Sequence, residues 1–171
     1  MTALLVALIA QRSIGFDRLI GEMVDLRALS LPPVVGFKQE QSSSYDRAST
    51  SPDKADSWFA NGDAGKFLRV DDREGRKEYV MADLKGPGVV TRIWSANPEG
   101  RVRFYFDGAD RPAISERLSD LLSGKAEQFK APFAYTSARG WNLYFPIPYQ
   151  KGLRITVDES NGERVQGLYY H

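Results

Sequence analysis

RVRFYFDG, residues 101–108, alternates strictly between two classes of side chain. Val102, Phe104 and Phe106 fall on one side of an extended chain; Arg101, Arg103 and Tyr105 fall on the other. A period of two is that of a half-buried antiparallel strand. The Asp107-Gly108 pair after it is a tight-turn signal. On this reading the Arg101/Arg103 stripe is a solvated face or a subunit contact.

The same period returns downstream in LRITVDE, residues 153–159, with Leu153, Ile155 and Val157 inward. KFLRV (66–70) and KEYVMADL (77–84) are two further strand candidates split by the turn-prone DDREGR. VVTRIWSA (89–96) is another, opened by Gly86-Pro87-Gly88. WNLYFPIPY (141–149) and RVQGLYYH (164–171) complete the set, and FKQEQSSSYDR (37–47) is a candidate edge strand. Pro146 and Pro148 confine their run to an edge or a bulge. ISERLSDLLSG (114–124) reads as one or two helical turns closed by Gly124. About seven or eight short strands at regular spacing predict an all-β fold, a jelly-roll β-sandwich.

One helix is expected before the strands. Between Gly15 and Leu29, Phe16, Leu19, Ile20 and Met23 follow helical spacing, with Asp17 in the first turn and Arg27 in the last. Pro32 and Pro33 stop it. Ahead of it, TALLVALIA has the length of a signal-peptide apolar core and is too short to span a bilayer. It reads either as a clipped export signal or as the first turns of a helix; secretion or periplasmic export is slightly favoured over a cytoplasmic location. The domain expectation is therefore a possible clipped signal at 1–13, a helix at 14–33 and a jelly roll at 34–171. GLYYH ends in a strand-like pattern with no polar tail, which reads as truncation.

Composition removes several chemistries. With 171 residues, net charge +1 and basic residues spread along the chain, neither nucleic acid nor a membrane is an expected partner. There is no cysteine, and the one histidine is His171. Disulfides, thiolate chemistry, a Ser-His-Asp triad and a multi-histidine metal site fall away. No cofactor is expected. Hydrolysis by this chain would rest on carboxylates, arginines, tyrosines or lysines. Glu22, Asp46, Asp63, Asp83, Asp107 and Glu159 are the acids in question, and none forms an obvious pair.

Sugar sites pair aromatic platforms with planar hydrogen-bonding groups. Tyr45, Asp46 and Arg47 carry that chemistry in one short segment. The alternative for this segment is an Asp46–Arg47 pair that braces the long polar loop from Ala48 to Gly65. Within that loop, Trp58 and Asp63 either line a site or pack beneath the loop. Arg92 and Trp94 stand two apart on one strand and share a face. As a cleft wall they form a stacking platform with a donor; as core, Arg92 requires a buried partner such as Asp83. Trp141 is assigned to the core.

Six ordered segments, SSSYDR, GKFLR, LKGPGVVTRIWSANP, RFYFDGADRP, YFPIPYQKGLRITVDE and LYYH, together resemble glycoside hydrolase family 172, first catalogued as domain of unknown function 2961. EMVDLRALSLPP resembles the segment before that family's first strand. The resemblance implies the N-terminal half of a double jelly roll, assembled as trimers or multiples of trimers. It implies retaining hydrolysis of fructofuranose or arabinofuranose linkages by two glutamates lying in the family's second half, beyond residue 171. Retaining chemistry needs two carboxyl groups about 5–5.5 Å apart. No position here matches those glutamates, so this chain alone is expected to be inactive. The alternatives are a non-catalytic carbohydrate-binding module and a structural or assembly module.

Overall fold

The computed structural model describes residues 14–33, 35–54, 56 and 59–171. The described residues before 39 and those from 39 onward form separate compact units. In the first, helix α1 runs Phe16–Val24, followed by a single tight turn at Ala28–Ser30. The helix is shorter than its sequence pattern predicts. Asp25 is extended at the C-cap, and its carboxylate accepts the Arg27 N–H at 3.0 Å. A short polar side chain thus satisfies the backbone and ends the helix before the prolines do.

The second unit is a β-sandwich. Strands β1 (Arg69–Arg73), β2 (Arg76–Lys85), β5 (Arg101–Phe106), β6 (Ile114–Arg117) and β10 (Gly152–Asp158) form one antiparallel sheet, ordered β1-β2-β10-β5-β6. Opposite it, β4 (Ile93–Ser95), β8 (Gly140–Leu143) and β7 (Ala134–Ser137) form a second sheet, and β3 (Gly88–Val90) pairs with β9 (Ile147–Tyr149). The chain passes back and forth between the two layers, as in a jelly roll. Helix α2, Leu118–Ser123, packs Leu118, Leu121 and Leu122 into the core and ends on Gly124 in the left-handed conformation. Each of these leucines, fully buried, contributes roughly 1.5–3 kcal/mol.

Val102, Phe104, Leu153, Ile155 and Val157 enter one core with Ile93, Leu143 and Ile147 from the opposite layer. The alternation read in residues 101–108 and 153–159 is therefore the alternation of the folded strands. The turn expected over DDREGR is tighter. β1 continues through Arg73, and only Glu74 and Gly75 turn, at φ 55° and 77°. Two positive φ values in a two-residue loop match the twist of the flanking strands.

Two irregularities shape the sheets. Ile155 pairs with Ala82 and Thr156 with Val80, so Met81 is an extra residue in β2. The Ser42 hydroxyl donates to the Met81 carbonyl that this bulge frees. The second lies where β3 gives way to β4. Val90 faces Ile147 and Ile93 faces Leu143, leaving Thr91 and Arg92 opposite Tyr144, Phe145 and Pro146. Pro146 supplies no N–H for a ladder at this point, as its sequence position predicts.

The ends of the unit differ from expectation. RVQGLYYH forms no regular strand; Tyr170 makes one isolated bridge to Ser95. Residues 37–47 also form no strand, although the Ser44 N–H donates to the Tyr170 carbonyl at 3.1 Å.

A candidate carbohydrate-binding face

Inward residues of β4, β8 and β7 fix what points outward. Ile93, Ser95, Leu143 and Ala134 are buried. Trp94, Asn142 and Tyr135 are cross-strand partners on the opposite side, where Asn142 is itself buried and its amide donates to the Tyr135 and Gly140 carbonyls. Arg92 and Tyr144 extend this side into the strand break, where the Arg92 guanidinium lies 5.7 Å from the Tyr144 ring centroid. The Tyr144 ring stacks on Tyr135 with centroids 6.1 Å apart and planes 20° apart. Tyr135 is 40 % exposed and Arg92 is exposed. Arg92 and Trp94 thus share a face, and that face is not the core. Asp83 is not Arg92's partner; it binds Arg69 at 2.7 Å.

Backbone pairing extends the platform. Trp94 N–H donates to His171 O at 2.9 Å and His171 N–H returns to Trp94 O at 3.0 Å. The two rings meet edge to face at 6.4 Å. Gly140 makes the seat for Trp94: a Cβ there would lie 2.7 Å from the indole nitrogen. Tyr144 and His171 carry no local signal of their own. Their place on this face follows only from strand register, which a linear pattern does not record.

Tyr45, Asp46, Arg47 and Asp63 come together, but for different work. Asp63 accepts the Asp46 N–H at 2.8 Å. Asp46 accepts N–H groups of Ala48 at 3.1 Å and Gly62 at 3.0 Å, with Lys66 at 3.9 Å. Those backbone donors hold its carboxyl below the usual range. Asp46 therefore braces the loop, through backbone and Lys66 rather than through the expected pair with Arg47. Arg47 donates to Ser43 O at 3.1 Å and covers the Tyr45 ring at 4.7 Å. Tyr45 remains 53 % exposed. Trp58 lies outside the described residues.

The outward side of the five-stranded sheet has another character. Arg103, expected in solvent or at a subunit contact, is buried and forms an ion pair with Asp158. Arg76 reaches Asp158 at 3.0 Å and Glu78 at 2.7 Å. Tyr105 and Thr156 hydroxyls donate to Glu78 at 2.7 and 2.8 Å. Burial pushes the Glu78 carboxyl up, but hydrogen bonds from Arg76, Tyr105 and Thr156 outweigh it and hold the group below its ordinary value. Burial, then Glu78, pushes the Tyr105 hydroxyl up. Glu78 and Asp158 are both fully buried, with every nearby cation committed, so they offer no open acid/base pair.

The other acids singled out in the sequence are also structural. Asp107 accepts three successive N–H groups, from Gln150, Lys151 and Gly152, which hold its carboxyl below the usual range. Glu22 pairs with Arg18 at 2.8 Å. Glu159 accepts the Val165 N–H at 3.2 Å. Among the described residues no group of three or more His, Asp or Glu could hold a metal ion, and no helix is long and apolar enough to cross a membrane.

No curated protein matches the chain. The family model for the first β-sandwich domain of glycoside hydrolase family 172 matches residues 35–171. That span contains both sheets, α2 and the aromatic face, and it agrees with the six ordered segments. The chain belongs to glycoside hydrolase family 172, of which it carries the first β-sandwich domain.

Proposed function

We propose that this domain contributes a carbohydrate-binding face to a retaining glycoside hydrolase acting on fructofuranose or arabinofuranose linkages. The observation that carries the reading is the shared outward face of Arg92, Trp94, Tyr135 and Tyr144. The aromatic rings match the apolar C–H faces of sugar rings, while the Arg92 guanidinium matches their hydroxyls. Trp94 lies opposite Asn142, two residues before Tyr144, so the two rings are diagonal neighbours with backbones roughly 7–8 Å apart. Tyr45, Arg47 and Asp63 form the second contact region, reached through the Ser44–Tyr170 backbone pairing.

Within this proposal the domain supplies binding and orientation, not the reacting carboxylates. The nucleophile and the acid/base are the two glutamates that the family's second half contributes, and residues 34–171 form the first of two jelly rolls in a trimer-based assembly. Orientation alone has catalytic weight, because holding a substrate in a productive geometry removes entropy from the barrier.

Calorimetric titration with fructofuranose and arabinofuranose oligosaccharides tests the binding role. Saturable heat is expected for one of these series, with at least tenfold weaker affinity for Trp94→Ala. Flat titrations across both series would contradict the reading.

A further inference from the structure

We propose that a second site, on the five-stranded sheet, binds a single oxyanion group. Between the β1–β2 hairpin, the loop at 108–112 and β10 lies a cavity of about 160 Å³, continuous with an open groove. Its floor is Tyr105, with the Arg73 guanidinium 4.8 Å and the Arg154 guanidinium 4.5 Å from the ring centroid.

Arg154 is the decisive residue. Its neighbours Arg76 and Arg103 on the same face are consumed by Glu78 and Asp158. The Arg154 side chain has neither an ion pair nor a hydrogen bond among the described residues, and its Nε is buried without an acceptor. Its cross-strand partner Asp83 is taken by Arg69, as is Asp71. Asp72 accepts the Gly75 N–H. The acids left at the rim are Glu74 and Asp110; Asp110 is fully exposed and 3.9 Å from Arg73, which also donates to the Asp110 carbonyl at 2.9 Å.

Two guanidiniums on one tyrosine ring repel each other, and an anion that reaches their N–H groups offsets that repulsion. Arg presents a planar fork that suits carboxylate, sulfate or phosphate oxygens. The site therefore takes an oxyanion, carried by a free small ion or by the acid group of a charged sugar. It is separate from the aromatic face and does not depend on that face binding sugar.

Thermal-shift titration of the chain with sodium phosphate, sodium glucuronate and glucose, at constant ionic strength, tests the proposal. The expected result is a saturable stabilisation by phosphate or glucuronate and none by glucose, with the Arg154 Nε–Hε NMR resonance moving along the same curve. Glucuronate bound more tightly than phosphate identifies an acidic sugar as the ligand; the reverse identifies a free anion. Arg154→Met is expected to weaken binding at least tenfold. Asp110→Asn, an exposed substitution that leaves the fold intact, is expected to tighten it severalfold. An equal response in wild type and Asp110→Asn, no saturable response to either anion, or an equal response to glucose would overturn it.

Discussion

The two sheets each turn one face outward, and the two faces are built on opposite principles. On the five-stranded sheet, Glu78 and Asp158 are buried and ion-paired with Arg76 and Arg103. Beside the three-stranded sheet, Arg92 stands over Tyr144 with no ion pair among the described residues, and Trp94 lies over a glycine. Both faces follow from the same two-residue period. What differs is whether the chain supplies the partners. A face that answers its own charges is structure; a face that leaves donors and rings open is available to a ligand.

This contrast predicts a graded series of effects. The largest belongs to Glu78. Glu78→Ala strips Tyr105 and Thr156 of their acceptor, leaves Arg76 with Asp158 alone, and should cost about 3–5 kcal/mol, read as a lower denaturant midpoint. If Tyr105→Phe recovers part of that loss in the double variant, the cost is an unsatisfied buried hydroxyl and not lost packing.

Acid comes next. Glu78 titrates below its unfolded value of 4.5, so the unfolded chain binds the proton more readily. Its contribution is present above that value and disappears as pH falls through the lower folded value. Unfolding midpoints should therefore drop as pH is lowered below about 4.5, and Glu78→Gln should flatten that dependence.

On the open face the effects on stability are smaller and the effects on binding larger. Gly140→Ala places a Cβ 2.7 Å from the Trp94 indole nitrogen. The ring must shift, at a cost of about 1–3 kcal/mol, and sugar affinity should fall with it. Trp94→Ala should change stability by less than about 1 kcal/mol while removing carbohydrate binding. A Trp94→Ala variant as unstable as Glu78→Ala would erase the distinction between the faces.

Much of this organisation is legible in the linear chain. Residues 101–106 and 153–158 show their core side directly, because Val, Phe, Leu and Ile recur at every second position. Gly124 and Asp107-Gly108 mark their turns by backbone chemistry that few other residues provide. The opposite side of residues 101–106 misleads. Arg103 has the composition of a solvated stripe, and only the register of β10 against β5, with Asp158 nearby, reveals it as buried. Glu78 is hidden for the same reason: its partners come from positions 76, 105 and 156.

The candidate site divides in the same manner. Arg92 and Trp94 share a face by spacing alone, whereas Tyr135, Tyr144 and His171 join them through pairing between distant segments. Asp46 looks like a ligand residue by composition and is occupied by backbone donors. Short polar side chains in loops satisfy nearby N–H groups as readily as they bind ligands.

The most direct test follows the indole N–H resonances during titration with a furanose oligosaccharide. Trp141 packs against the core and Trp94 lies on the outward face. The Trp94 resonance is expected to shift and saturate while that of Trp141 stays in place. A Trp94 resonance that does not move at saturating oligosaccharide, or a response from Trp141 alone, would contradict the account.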